Sequence, residues 1–192
     1  MDRGTRVFWL LLTCLLGASL FFGVSAESRR RAVQRSQATL ATGDIVQLSK
    51  VVDGDTVLVD NADKQSVAVR ILGIKSFEDH PARDVSSRFG AAAEQAMKKL
   101  MQDKPVRVLL NNPPQDKHGR TLAELFVGGR NVGLELVRRG LVMVYTVYPF
   151  PSMSLYLQAQ ETARAERRGL WGDEAVAKRA DLLGRQWQLE AK

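Results

Sequence analysis

Cysteine is almost absent from this 192-residue chain, and Cys14 is the single one. The chain therefore cannot form an internal disulfide, and a zinc site built from several cysteines is excluded. Internal repeats and low-complexity blocks are also missing. Acidic residues are in the minority, with 21 Asp and Glu against 28 Lys and Arg and a formal net charge of +7. This excess favours a polyanionic partner, either nucleic acid or an acidic membrane surface.

One long apolar run is present, at Val7–Val24, and two arginines precede it. It ends at the small residues Ser25 and Ala26, which fit a signal-peptide cleavage site. An 18-residue run is also just long enough to span a bilayer. We therefore expect residues 1–26 to be either a cleaved signal peptide or a retained membrane anchor, with membrane association through residues 7–24. Both alternatives favour a secreted or cell-envelope location.

The chain after this run divides into a polar basic linker at 27–43, a domain at 44–172 and a C-terminal extension at 173–192. The linker lacks apolar periodicity. Segments rich in β-branched residues predict strands, and apolar residues at spacings of three and four predict helices. Predicted strands lie at 45–52, 56–59, 67–72, 106–110 and 122–127. Predicted helices lie at 89–101, 131–139 and 152–168, and the extension is either a helix or a frayed tail.

The order of these elements indicates an α+β fold. The residues 60–63 (Asp-Asn-Ala-Asp) are typical of a turn and join the second and third strands into a hairpin. Five short strands with a helix after the third favour a small barrel of the oligonucleotide-binding (OB-fold) kind. About three helices are expected to pack against it, with Asn131 capping the second.

Four short motifs carry the candidate chemistry. They are Asp-Gly-Asp-Thr at 53–56, Arg-Ile-Leu-Gly-Ile-Lys-Ser-Phe-Glu at 70–78, Asp-Lys-His-Gly-Arg at 116–120 and Gly-Leu-Trp at 169–171. In this order they resemble the thermonuclease (staphylococcal nuclease-like) family, whose second motif is Arg-x-x-Gly-Ile-Asp-x-Pro-Glu. The segment 131–141 also looks like that family's Asn-x-x-Leu-Val-x-x-Gly-Leu helix. The resemblance covers roughly 130 residues.

The resemblance implies an OB-fold nuclease that hydrolyses phosphodiester bonds of DNA or RNA with calcium. Arg70 and Arg120 would contact the scissile phosphate, and Glu78 would act as general base. A guanidinium meets two phosphate oxygens at once, and a carboxylate can accept a proton from attacking water. Asp55 would bind calcium together with Asp53, Glu78 and the Ser76 carbonyl. The nucleic-acid contacts are assigned to Lys117, His118 and Tyr148.

Two positions in the second motif depart from the family. Lys75 stands where the family has an aspartate ligand, and an ammonium group cannot coordinate calcium. Phe77 replaces the usual proline, so the segment that carries Glu78 is expected to sit differently. Three alternatives follow: weakened calcium binding, slow cleavage in which Lys75 supplies the positive charge, or a catalytically impaired protein that only binds nucleic acid.

Overall fold

The computed structural model describes residues 39–78, 85–116 and 118–190. The expected signal peptide or anchor at 1–26, residues 27–38 of the expected linker and Lys117 lie outside these ranges. Within them, no helix is long and apolar enough to cross a membrane. Leu40 is buried in the core, and Gly43 donates its backbone N–H to the Val108 carbonyl, so residues 40–43 pack on the barrel.

The described residues form eight strands, four α-helices and one 3₁₀ turn. In chain order the strands are β1 (Ile45–Asp53), β2 (Thr56–Asp60), β3 (Ser66–Ile71), β4 (Ile74–Lys75), β5 (Val106–Gln115), β6 (Thr121–Val127), β7 (Arg130–Asn131) and β8 (Met143–Val144). The helices are α1 (Ser87–Met101), α2 (Val132–Arg138), α3 (Met153–Ala165) and α4 (Glu174–Glu190), and the 3₁₀ turn is Gly169–Gly172.

Five strands close into a barrel in the order β3-β2-β1-β5-β6. The neighbours in this order are antiparallel, and a parallel pairing of β3 with β6 closes the ring. Alternating β-branched residues on β2 and β3 place Val57, Val59, Val69 and Ile71 in the interior, where all four are buried. The expected five-stranded α+β barrel of the OB-fold kind is therefore confirmed.

The hairpin between β2 and β3 forms where the turn residues predict it. The Asn61 side-chain oxygen accepts the backbone N–H groups of Asp63 at 3.0 Å and Gln65 at 2.9 Å. An asparagine side chain that satisfies its own turn in this way fixes the loop locally. The register that follows pairs Val57 with Val69 and Thr56 with Arg70. This register sets where the first arginine of the site lies.

Helices α1 and α2 follow the sequence predictions closely. α1 buries Phe89, Ala93, Met97 and Met101, the apolar face that the spacing predicts. α2 begins after Asn131, whose side-chain oxygen accepts the Leu134 N–H at 3.0 Å as an N-cap.

Helix α3 ends at Ala165, three residues before the end that the sequence predicts. Arg167 adopts a positive φ of 53°, which turns the chain out of the helix. Gly169 then approaches Gly140 so closely that a Cβ atom on Gly169 would lie 2.2 Å from the Gly140 carbonyl oxygen. The Leu170 N–H bonds to that carbonyl at 2.8 Å. The contact with Gly140, which follows α2, rather than helix propensity, thus determines where α3 ends.

The C-terminal extension is an ordered helix, α4. Its buried residues are Val176, Ala180 and Trp187, which recur on one face. They join a second apolar cluster, separate from the barrel core, that contains Phe77, Phe89, Met143, Ala163, Leu170 and Trp171. Trp171 is buried there.

Candidate active site

The turn between β1 and β2 is the base of the site. Asp55 donates its backbone N–H to Asp53 Oδ1 at 2.8 Å, which closes the turn around Gly54. A Cβ atom at Gly54 would lie 2.6 Å from the Cβ of Ser76, so only glycine lets the two segments approach this closely. The Asp-Gly-Asp motif therefore brings Asp55 against the segment that follows β4.

The Asp55 carboxylate is the centre of the site's polar contacts, and the residue is only 2% exposed. Its Oδ1 accepts the Thr56 hydroxyl at 3.1 Å and lies 3.2 Å from Arg70 Nε. Its Oδ2 accepts the Ser76 N–H at 3.1 Å and lies 3.6 Å from Lys75 Nζ. Burial by itself raises the pKa of Asp55, but the charges of Arg70 and Lys75 outweigh burial and hold the pKa below its usual range. Asp55 is therefore an ionised carboxylate between two cations.

Asp53 has the opposite electrostatic environment. Burial, followed by repulsion from the nearby Asp55 carboxylate, raises the pKa of Asp53 to about 6. The expected pair of acidic ligands thus consists of one strongly ionised group and one that holds its proton up to mildly acidic pH.

Arg70 is bound by the site's own backbone. Its Nη1 donates to the Ile71 carbonyl at 2.7 Å and to the Asp55 carbonyl at 3.3 Å, and its Nη2 donates to the Ile74 carbonyl at 2.5 Å. With Nε facing Asp55, four internal oxygen atoms surround a side chain that is only 11% exposed. Arg70 therefore mainly holds the turn between β3 and β4 in place. A phosphate could contact only the part of the guanidinium that these four oxygen atoms leave accessible.

Arg120 is more accessible than Arg70, with 26% of its side chain exposed. Asp116 holds it from one side: Arg120 Nε donates to Asp116 Oδ2 at 2.8 Å and Nη2 lies 2.7 Å from the same oxygen. Its Nη1 lies 3.5 Å from Thr56 Oγ1. Burial raises the pKa of Asp116, but hydrogen bonds from Arg120 and His118 outweigh it and lower that pKa. An ionised Asp116 therefore orients the second arginine.

The barrel register brings both arginines close to Thr56. Thr56 is the cross-strand partner of Arg70, and Arg120 contacts its hydroxyl. Parallel pairing of β3 with β6 places Val69 opposite Thr121. Arg70 follows Val69 and Arg120 precedes Thr121, so the two arginines lie next to this pair. A chain of polar contacts then runs from Arg120 through Thr56 and Asp55 to Arg70.

Lys75 and Ser76 of the second motif contact Asp55. Lys75, on β4, pairs with Met143 of β8, and 42% of its side chain is exposed. Ser76 is buried, and its N–H is bonded to Asp55. Glu78 is exposed and lies three residues beyond Lys75.

This set of residues does not fit a calcium ion. Calcium takes about six to eight oxygen ligands with several negative charges. Both Asp55 oxygens already face a cation and a hydrogen-bond donor, and Lys75 adds a positive charge where a ligand is needed. Among residues 39–78, 85–116 and 118–190, no three His, Cys, Asp or Glu side chains are placed to hold a metal. The metal-ligand set expected from Asp53, Asp55, Ser76 and Glu78 stays a prediction, and the contacts of Asp55 with Arg70 and Lys75 argue against it.

Two of the three expected nucleic-acid contacts lie in described parts of the chain. His118 is exposed and donates its backbone N–H to Asp116 Oδ1 at 2.8 Å, so it sits in the turn that holds Arg120. Tyr148 is 70% exposed, and its ring centroid lies 6.2 Å from that of Tyr145. Tyr145 in turn contacts Trp187 edge to face at 5.0 Å.

Three residues of the site were not singled out from the sequence: Thr56, Asp116 and Tyr145. Thr56 and Asp116 stand inside quoted motifs, and the spacing of four between Asp116 and Arg120 was a visible signal of an ion pair. Tyr145 had no such signal, because its role depends on packing against α4, far along the chain.

The fold and the site define an OB-fold barrel protein in which two arginines are linked through Thr56 and a buried carboxylate. The family model described as "Staphylococcal nuclease homologue" matches residues 68–173, just over half of the chain. The chain belongs to this family.

Individual relatives agree with this assignment. The chain is 33% identical over 164 residues to an "Uncharacterized endonuclease" of Haemophilus influenzae, covering 85% of this chain and 79% of the relative. It is 28% identical over 138 residues to a "Thermonuclease" of Staphylococcus intermedius, covering 71% and 82%. It is 29% identical over 140 residues to a "Micrococcal nuclease" of Shigella flexneri, covering 68% and 74%.

Proposed function

We propose that this protein is a nuclease that hydrolyses phosphodiester bonds of DNA or RNA. The observation that carries the proposal is the polar chain from Arg120 through Thr56 and Asp55 to Arg70, which places two guanidinium groups at one end of the barrel. Membership of the nuclease homologue family and the nuclease names of the relatives support it.

Arg120 is the main phosphate ligand in this proposal. Its accessibility and its orientation by Asp116 allow a guanidinium fork to meet two phosphate oxygens. Arg70 contributes its positive charge and the part of its guanidinium that the internal oxygens leave accessible. Phosphodiester hydrolysis places extra negative charge on the equatorial oxygens, and oriented cations stabilise that charge in the transition state.

Glu78 is the proposed general base. An exposed carboxylate within the 75–78 segment can accept the proton of an attacking water molecule, a role worth about 10²–10⁴-fold in rate. A site that only bound nucleic acid would gain nothing from a negative charge close to a phosphate.

Lys75 takes over the charge that a divalent ion would bring. Its ammonium group lies 3.6 Å from Asp55 Oδ2 and supplies a positive charge there without a metal. We therefore propose that cleavage does not depend on calcium, and no step of the mechanism passes through one.

The second candidate is a nucleic-acid-binding protein without catalysis. The observation that favours it is the engagement of Arg70 with four internal oxygens, which limits how far this side chain can reach a phosphate. This protein would bind with strong salt dependence, because neutralised phosphates release counterions.

Cleavage assays on single-stranded DNA and RNA separate the two functions. The wild type, Glu78→Gln and a matched surface variant, Glu161→Gln, are assayed with calcium and with a chelator. We expect wild-type cleavage in both conditions, loss of about 10²-fold or more in Glu78→Gln, and no effect of Glu161→Gln. Tight binding without cleavage by the wild type would instead establish the binding protein.

Location and domain limits remain proposals from the sequence. We propose that residues 1–26 direct the domain at 44–172 to the cell envelope or the medium, either as a cleaved signal or as an anchor. The mass of the mature N-terminus separates the two: loss of residues 1–26 indicates cleavage, and a retained Met1 indicates an anchor or a cytoplasmic protein.

A further inference from the structure

Helix α4 lies outside the residues that the family model matches, yet it packs against the site. The match ends at residue 173, and α4 spans Glu174–Glu190. Three of its side chains, Val176, Ala180 and Trp187, enter the second apolar cluster together with Phe77. Phe77 stands between Ser76, whose N–H binds Asp55, and Glu78.

Phe77 therefore connects the proposed catalytic segment to the helix. It is buried, whereas the neighbouring Glu78 is exposed. The family has a proline here, which fixes its own φ and stiffens the loop locally. In this chain a large aromatic ring that packs with α4 in the second apolar cluster fixes the same segment by tertiary packing.

One side chain of α4 contacts both Phe77 and the residue that precedes α1. The Arg179 guanidinium lies 5.5 Å from the centroid of the Phe77 ring, a cation–π contact. Its Nη1 lies 3.2 Å from the hydroxyl oxygen of Ser86, a buried residue just before α1. A nearby ion pair between Arg88 and Asp173, at 2.5 Å, ties the start of α1 to the start of α4.

The far end of α4 supports the exposed tyrosine in the same way. Trp187 contacts Tyr145 edge to face at 5.0 Å, and Tyr145 lies 6.2 Å from Tyr148. The Tyr145 N–H also bonds to the Gly73 carbonyl at 2.9 Å, at the turn that Arg70 anchors. Two parts of the proposed site, the Glu78 segment and the tyrosine pair, thus rest on one helix.

We propose that α4 is a working part of the active site and that Arg179 is its positioning residue. Arg179 fixes the 76–78 segment, and with it the Glu78 carboxylate, through Phe77, while its bond to Ser86 holds the guanidinium in place. This inference rests on the proposed nuclease function for its catalytic consequence. The competing explanation is that α4 only covers apolar surface, in which case Arg179 contributes no more than any other cation on the helix.

The test uses the full chain with three variants. Arg179→Met removes the cation and the donor, and Arg179→Lys keeps a cation that can restore part of both contacts. Lys178→Met is the matched control: it makes the same charge change one residue away, on an exposed lysine that pairs with Glu174 of the same helix. Two quantities are measured: amide hydrogen exchange of residues 76–78, and kcat separately from KM.

We expect Arg179→Met to speed exchange at the Ser76 amide about tenfold or more, because local opening frees the bond to Asp55. Its kcat should fall about tenfold while KM stays within about twofold, since misplacing a catalytic group slows chemistry more than binding. Arg179→Lys should recover most of the wild-type protection of the Ser76 amide and most of the wild-type kcat. Lys178→Met should match the wild type in both quantities.

Equal exchange in Arg179→Met and Lys178→Met would overturn the inference, and so would faster exchange with an unchanged kcat in an active enzyme. If exchange rises in Arg179→Met but the wild type cleaves nothing, the coupling of α4 to the segment stands and the proposed nuclease function is wrong.

Discussion

Lys75 Nζ lies 3.6 Å from Asp55 Oδ2, on the same buried carboxylate that faces Arg70 Nε at 3.2 Å. A carboxylate held by two cations cannot at the same time supply the charge that attracts a divalent ion. Asp55 instead acts as the counter-ion that holds the side chains of Arg70 and Lys75 in place.

The raised pKa of Asp53 predicts a pH-dependent stability. A carboxyl group whose folded pKa is about 6, above its usual 3.8, binds its proton more tightly in the folded state. Its contribution is therefore present at low pH and is lost as the pH rises through the window from about 4 to 6. Asp53→Asn should abolish this loss and stabilise the protein at pH 7 by about 1–3 kcal/mol.

Urea unfolding of wild type and Asp53→Asn at pH 4, 5, 6 and 7 checks this prediction. Asparagine keeps the side-chain oxygen that accepts the Asp55 N–H, so the turn itself is preserved. Asp63→Asn, on an exposed loop, is the control and should leave the pH profile unchanged. If the free energy of unfolding of the wild type did not fall relative to that of Asp53→Asn between pH 4 and 6, the argument would be contradicted.

Arg120→Lys tests whether the Arg120 guanidinium contacts two oxygens of the phosphate. A lysine keeps the positive charge but loses the paired donors, so we expect kcat/KM to fall about 10²-fold with little change in the free energy of unfolding. Arg130→Lys, on the exposed edge strand β7, is the matched control. If the two variants cleave equally well, the guanidinium of Arg120 does not act on the phosphate.

Tyr148 is expected to stack on a base of the substrate. Tyr148→Ala should weaken binding of a short single-stranded oligonucleotide by about 1–3 kcal/mol, whereas Tyr148→Phe keeps the ring and should bind almost as the wild type does. Fluorescence anisotropy of a labelled oligonucleotide measures both. Equal weakening in the two variants would assign the contact to the hydroxyl group instead of the ring.

Much of the barrel was predictable because its strands alternate apolar residues over five or more positions. The strands β4, β7 and β8 were not, since two residues carry no period, and their pairing depends on neighbours far along the chain. β5 also extends to Gln115, beyond the predicted end at Leu110, where the apolar alternation stops.

The candidate site, too, was predictable only in part. The motifs singled out Asp55, Arg70 and Arg120, because each motif is a local structure; the barrel register then links the three through Thr56, and their roles stay predictions. The contacts of Arg70 with four internal oxygens and the burial of Phe77 under α4 were not visible, since both depend on tertiary packing.

The central claim, that Lys75 takes the place of a bound calcium, is tested most directly by measuring the response of Lys75→Asp to calcium. The variant restores the family's carboxylate, while Lys75→Gln removes the charge without adding a ligand. Thermal unfolding and cleavage are followed with calcium and with a chelator.

We expect neither wild type nor Lys75→Gln to gain stability or activity from calcium. Lys75→Asp should be destabilised in chelator by two adjacent carboxylates, then stabilised by several degrees and activated about tenfold or more by calcium. A wild type that needs calcium for cleavage, or a Lys75→Asp variant whose calcium response matches that of the wild type, would contradict the account.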